Sequence, residues 1–179
     1  MTLNRSPLLA IGLVAALHLT AAEPQPTLNS HLEPLRPLLG KTWKGVFEGS
    51  KPEKSTVDMS RWERALNGQA VRVLHSINQG IYGGETLFVW NEKNQVVEYF
   101  YFTTAGYMTT GTMLVRNGRI ETREVVKGDS DGVTEVRATS EIQPQGSFHV
   151  KAEYLKKGEW TPGHEVTYRE DPKGEVVFK

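Results

Sequence analysis

Four histidines lie beyond residue 22, at positions 31, 75, 149 and 164, and alternation carries two of them toward an apolar interior. His75 shares the parity of Val71, Val73 and Ile77, and His164 that of Val166 and Tyr168. A neutral imidazole is a hydrogen-bonding group, a general base and an iron ligand. His149 shares parity with Lys151 and Glu153 and is read as surface, and His31 falls in a Pro-rich polar stretch. Glu85 alternates with Leu87 and Val89, and Arg61 with Val57 and Met59. That parity points both inward, Glu85 as an acid–base partner for His75 or Arg61 and Glu85 as a buried ion pair. Trp62, Tyr82, Phe88, Trp90, Tyr99, Tyr101 and Tyr107 supply large apolar faces with polar tips, the usual wall of a ligand pocket. A plainer reading stands beside each. Interior histidines more often bond a neighbour, buried charges satisfy one another, and aromatic residues pack cores.

Signatures of named chemistries are missing. There is no Gly-X-Ser-X-Gly elbow, phosphate-binding glycine loop or His-Glu-X-X-His. Asp129-Ser130-Asp131-Gly132 starts like a calcium loop but has no glutamate at the distal spacing. With no cysteine, thiol catalysis, thiolate metal sites and disulfides are excluded. Lys+Arg and Asp+Glu are both 21, so no net charge draws the chain to nucleic acid or an anionic membrane.

The elements that must position these residues are strands. Ten runs read as β, at 43–49, 55–66, 69–78, 84–91, 96–103, 106–115, 119–127, 133–143, 147–156 and 164–170. Asn67-Gly68 and Asn117-Gly118 are type I′ hairpin signals, and Pro144-Gln145-Gly146 and Lys157-Gly158 are tight turns. In 133–143, Val136, Ala138 and Ile142 oppose Glu135, Arg137, Thr139 and Glu141. In 147–156, Phe148, Val150, Ala152 and Tyr154 oppose His149, Lys151 and Glu153. The run 96–103 is apolar on both faces, which asks for a cover, with the N-terminal segment as candidate. Short joints and the absence of helical crossovers predict a mainly β fold, one antiparallel meander barrel of about ten strands. Ser30 to Leu39 reads as a short helix, capped by Ser30 with Glu33 three residues on, limited by Pro34 and Pro37, its leucines lying across a barrel end.

Residues 1–22 carry a targeting pattern. Arg5 is the only charge before residue 23, Leu8 to Leu19 is apolar apart from Gly12 and His18, and Thr20-Ala21-Ala22 supplies small residues. The expectation is a signal peptide cleaved after Ala22, a flexible leader over 23–34, a barrel domain over 35–179, and a secreted or periplasmic location without lipoprotein anchor. No stable membrane insertion is expected after cleavage, and oligomeric state is not legible.

Leu38-Leu39-Gly40-X-X-Trp43-X-Gly45 resembles the opening of calycin-type barrels. In lipocalins a Gly-X-Trp packs across the barrel floor; here Gly40-Lys41-Thr42-Trp43 is one residue longer. Leu35 to Gly45 also resembles, with one inserted residue, the start of nitrobindin-like haem barrels. Over most of residues 35–170 the chain is similar to DUF1579-type domains. It shares with them Tyr82-Gly83-Gly84-Glu85-Thr86, Tyr99-Phe100-Tyr101-Phe102 and Ala105-Gly106 with Gly111-Thr112. That group carries no established activity, so the resemblance implies fold. The nitrobindin likeness implies an iron-binding histidine on a late strand, which would make His164 the axial ligand, with His75 second.

The functional expectation is a non-catalytic barrel that binds a small apolar or amphipathic ligand. Its cavity candidates are Trp62, His75, Tyr82, Glu85, Trp90, Tyr99, Tyr101, Tyr107, His164 and Tyr168, with no catalytic residue and no required cofactor. Haem bound through His164, an enzyme using His75 and Glu85, and a filled interaction module are the alternatives.

Overall fold

Alternation sends every second side chain of each strand to the same side, and here the large apolar rows close on one another around an axis. The computed structural model describes residues 26–51, 53–128 and 131–179. The signal segment and Asp129-Ser130 lie outside the described residues. Ten strands follow one another as β1 (Lys41–Phe47), β2 (Val57–Ala65), β3 (Ala70–Ile77), β4 (Tyr82–Asn91), β5 (Val96–Thr103), β6 (Met108–Arg116), β7 (Arg119–Lys127), β8 (Val133–Gln143), β9 (Ser147–Lys156) and β10 (Glu159–Glu170). Each pairs antiparallel with the next, and β10 returns to β1 through Trp43↔Glu170 to Phe47↔Val166. The mainly β meander barrel expected from the sequence is therefore the observed fold, and closure removes both sheet edges.

Turn chemistry sets the registers. Asn117 and Gly118 both have positive φ between the paired Arg116 and Arg119, a two-residue hairpin as expected. The Asn67-Gly68 joint differs, because Leu66 is left-handed too and Ala65↔Ala70 is the last pair, so four residues make the turn. β10 starts at Glu159 rather than 164, since the tight Lys157-Gly158 turn carries pairing straight back along β9. Register breaks between Pro162 and Glu165: Pro162 faces Glu153 and Glu165 faces Lys151, leaving Gly163 and His164 together opposite Ala152. Proline cannot donate to the ladder, and a bulge is where a strand tolerates it.

The N-terminal helix is 3₁₀, Ser30–Leu38, with Pro34 and Pro37 inside. Leu32, Leu35 and Leu38 recur every three residues, the 3₁₀ period, so all three fall on one side and all three are buried. They pack on Val71, Val73, Phe88 and Trp43 and close one end of the barrel. The expected capping box does not form. Asn29 is the cap, its Oδ1 accepting from His31 N–H at 3.0 Å, while Glu33 turns to Arg36 at 2.5 and 2.7 Å. Nor are residues 26–29 a free leader: Asn29 N–H donates to the Gly68 carbonyl at 2.8 Å and Arg64 Nε donates to the Thr27 carbonyl.

Because the leucines are spent on the barrel end, the outer face of β5 gains no cover from this segment, and Phe102 stays 48% exposed. The C-terminal segment covers a different wall. Val177 N–H donates to Ser76 Oγ at 3.1 Å, and Gly174 lies against Met59. This corrects Arg61. Val57 and Met59 are apolar because the tail lies over them from outside, so Arg61 faces out, paired to Glu63 at 2.8 Å. No helix among the described residues is long and apolar enough to cross a membrane.

Leu32→Ala removes a fully buried plug residue and is expected to cost about 2–5 kcal/mol. Phe102→Ser is expected to change stability by no more than about 0.5 kcal/mol. Urea midpoints at unchanged slope measure both.

Candidate functional site

Inside the closed barrel the inward rows leave a cavity of about 540 Å³. Its floor, under the helix, is apolar: Leu35, Leu38, Phe88, Met113, Ile142 and Phe148. Trp43 seals this end, its Nε1 donating to the Leu38 carbonyl at 3.1 Å and its ring edge-on to Phe148 at 5.1 Å. The half nearer the opposite end is polar and aromatic, with Asp58, His75, Tyr82, Tyr107, Glu124, Tyr154 and His164 on its walls.

One hydrogen-bonded chain organises this half. Asp58, buried on β2, is reached on Oδ1 by His75 Nδ1 at 2.9 Å and on Oδ2 by the Tyr168 hydroxyl at 2.7 Å. His75 Nε2 lies 2.7 Å from the Tyr101 hydroxyl, which is 2.9 Å from that of Tyr82, itself 2.9 Å from that of Tyr107. A carboxylate beside Nδ1 fixes the proton there, so both ring nitrogens of His75 are engaged. Burial pushes the Tyr101 and Tyr168 hydroxyls well above the ordinary tyrosine range, with charge repulsion from Tyr82 and Asp58 respectively as the next cause.

Missing side chains make room for these rings. Gly45 is the cross-strand neighbour of both Asp58 and Tyr168. A Cβ on it would stand 2.6 Å from the Tyr168 ring, so only glycine lets that ring cross β1 to reach Asp58. Gly84 does the same under Tyr101, where a Cβ would stand 2.5 Å from the ring. These glycines need closeness rather than an unusual backbone.

Two smaller clusters complete the wall. On β7, Glu124 accepts from Thr109 Oγ1 at 2.7 Å and bonds Tyr99, whose ring lies over Gly111. Burial pushes the Glu124 carboxyl above the usual range, against the two hydrogen bonds. On β10, beside the bulge, His164 faces inward, its Nδ1 2.6 Å from the Tyr154 hydroxyl and its ring 5.5 Å from Phe47. Burial pulls its proton affinity below the ordinary histidine value, which favours the neutral ring. Among the described residues no side chain bonds its Nε2. Ser60 Oγ and Trp62 Nε1, on the inward row below Asp58, are buried without a partner.

Of the residues chosen from the sequence, Trp62, His75, Tyr82, Tyr99, Tyr101, Tyr107, His164 and Tyr168 line the cavity, as does Phe88. Glu85 does not. β4 has two apolar rows, and the bulkier one, Tyr82, Phe88 and Trp90, takes the inside, leaving Glu85 outside near Arg72. His75 and Glu85 are thus no acid–base pair, and Arg61 and Glu85 no buried ion pair. Trp90 points inward but beyond the cavity: the His31 ring stacks on it at 3.5 Å and its Nε1 donates to Glu92 at 2.8 Å. Asp58 and Glu124 were missed. The alternation Ile120, Thr122, Glu124, Val126 would have found the second; no pattern marked Asp58, since its neighbours Val57 and Met59 look like the core row. Outside the barrel His149 lies 3.1 Å from Glu165 and 3.7 Å from Glu48, a surface trio with cation-ligand chemistry.

No family model and no curated protein matches the chain. Among solved structures the barrel is similar to Rv2717c from M. tuberculosis, with a TM-score of 0.58, 14% identity, and coverage of 81% of this chain and 99% of that one. That likeness supports the barrel fold.

A carboxyl held above its ordinary value of 4.5 adds stability at low pH that is lost as pH rises through the raised value. Glu124→Gln is therefore expected to gain on the wild type as pH rises above the ordinary glutamate range. Thermal melts of both proteins across pH measure this, and parallel profiles would show that burial does not hold the proton.

Proposed function

We propose that the barrel binds one small amphipathic molecule in its interior, without catalysing a reaction on it. The observation that carries the reading is the cavity: about 540 Å³, apolar at the sealed end and polar at the other. That size and that division suit a ligand with an apolar body and a polar head. His75 is held at both nitrogens and the expected carboxylate partner is outside, so the interior is arranged for recognition rather than proton transfer to a substrate. The targeting pattern of residues 1–22 supports a site of action outside the cytosol. Trp43 at the floor supports kinship with calycin-type barrels, and the glycines beneath Tyr101 and Tyr99 give the motifs shared with DUF1579-type domains a physical role. A neutral fluorescent probe, N-phenylnaphthylamine, tests the binding. Saturable enhancement is expected, weakened roughly tenfold or more by Ala138→Phe, which fills the wall opposite Ala152. No saturation in wild type, or equal binding in the variant, would overturn it.

One observation favours a second reading, haem. His164 has Nδ1 held by Tyr154 and Nε2 turned to no protein partner among the described residues, the arrangement that presents a ligating imidazole. His75 does not fit this role, because both its nitrogens are taken. Haemin titration followed at the Soret band tests it: a specific band in wild type lost in His164→Ala supports ligation, and a band unchanged in the variant removes His164 from the role.

A further inference from the structure

Resting on the reading that the cavity binds a ligand, we infer that this ligand is a cation, a protonated amine on an apolar aromatic or aliphatic body. The described cavity wall carries three carboxyl side chains, Asp58, Glu124 and Asp131, and neither a lysine nor an arginine. Asp58 and Glu124 stand on opposite walls, since β2 and β7 are separated by four strands in either direction around the ring. Arginines and lysines are spent instead on outer-face pairs such as Arg72–Glu63, Arg123–Glu135 and Arg137–Glu153.

Asp58 is the centre of this asymmetry. It is 4% exposed, and its contacts are an imidazole N–H and a phenol O–H, neither a fixed cation. Two hydrogen bonds leave lone pairs on both oxygens. A buried carboxylate is costly unless a positive charge compensates it. An ammonium entering from the polar end supplies that charge. Two residues along the same inward row, Ser60 is 4% exposed and its Oγ has no partner, so it stands ready to accept a further N–H after a change of rotamer. Tyrosine rings, here Tyr82, Tyr101, Tyr107 and Tyr154, share this half of the cavity, and aromatic rings favour cations electrostatically. Below them the apolar floor takes the ligand's body. A fatty acid or other anion would find Asp58 and no cation to meet it.

The test is displacement of N-phenylnaphthylamine from wild-type protein at neutral pH by three ligands of one shape: naphthylethylamine, naphthylethanol and naphthylacetic acid. The amine is expected to compete roughly tenfold better than the alcohol, and the acid worst. In Asp58→Asn the amine should fall to the level of the alcohol while the probe still binds. Equal competition by amine and alcohol would mean that the cavity does not select for positive charge, and would overturn the inference while leaving ligand binding intact. A best-competing acid would overturn it likewise. Failure of the probe itself to bind would remove the binding reading and this inference with it. The wild-type series decides the charge even where Asp58→Asn fails to fold.

Discussion

The carboxylate of Asp58 is the group around which the interior is arranged. Burying it unpaired would cost several kcal/mol, and the surrounding residues are placed to offset that. Tyr168 reaches it from β10 across the whole of β1, and His75 reaches it from β3. Three constraints follow. β1 must carry glycine at position 45, β4 must carry glycine at 84 so that Tyr101 can meet His75, and the hydroxyls of Tyr101, Tyr82 and Tyr107 must run in sequence toward the mouth. The seam where β10 closes on β1 is thus tied on its inner side by the same contacts that shape the polar half of the cavity.

A ten-stranded ring has more interior than its own side chains fill. The chain fills one end and not the other. Leu32, Leu35 and Leu38 enter from a helix whose three-residue repeat matches their spacing, and Trp43, Phe148 and Tyr168 pack beneath them, the last two stacked 4.4 Å apart. Two prolines prevent an α-helix, in which the same spacing would swing the leucines gradually off one face. Beyond them the inward positions of β7 and β8 go to small residues, Thr122, Ala138 and Ser140, which leave the interior open. A void of this size leaves its lining without partner atoms on the inner side, at a cost in stability that a filled barrel would not carry.

The sequence made the barrel legible because its evidence is local: turn residues and period-two runs. β5, β7, β8 and β9 have the expected bounds, and His75 and His164 face inward as their parity required. What failed was parity where both rows are apolar. Val57 and Met59 are covered by a tail more than a hundred residues away, so the polar residues between them, Asp58 and Ser60, are the inner row. No local pattern reports that. On β4 the two rows compete, and bulk decides. Hydrogen bonding between tyrosines is equally invisible in a sequence, because it depends on ring tilt and on which neighbour lacks a Cβ.

The row of hydroxyls also shows how both ring nitrogens of a half-buried histidine are satisfied. With Nδ1 on Asp58, His75 meets the Tyr101 hydroxyl at Nε2, Tyr101 donates to Tyr82, and the Tyr82–Tyr107 pair can form with either hydroxyl as donor. Every link from Asp58 to Tyr107 is made within the row, and polar groups bonded in sequence strengthen one another. Of the tyrosine pairs in the row, that of Tyr82 with Tyr107, at its outer end, is the one in which either hydroxyl can donate. The hydrogen bonding of the polar half is thus adjustable at that outer end, while the Tyr101 and Tyr168 rings are held over Gly84 and Gly45.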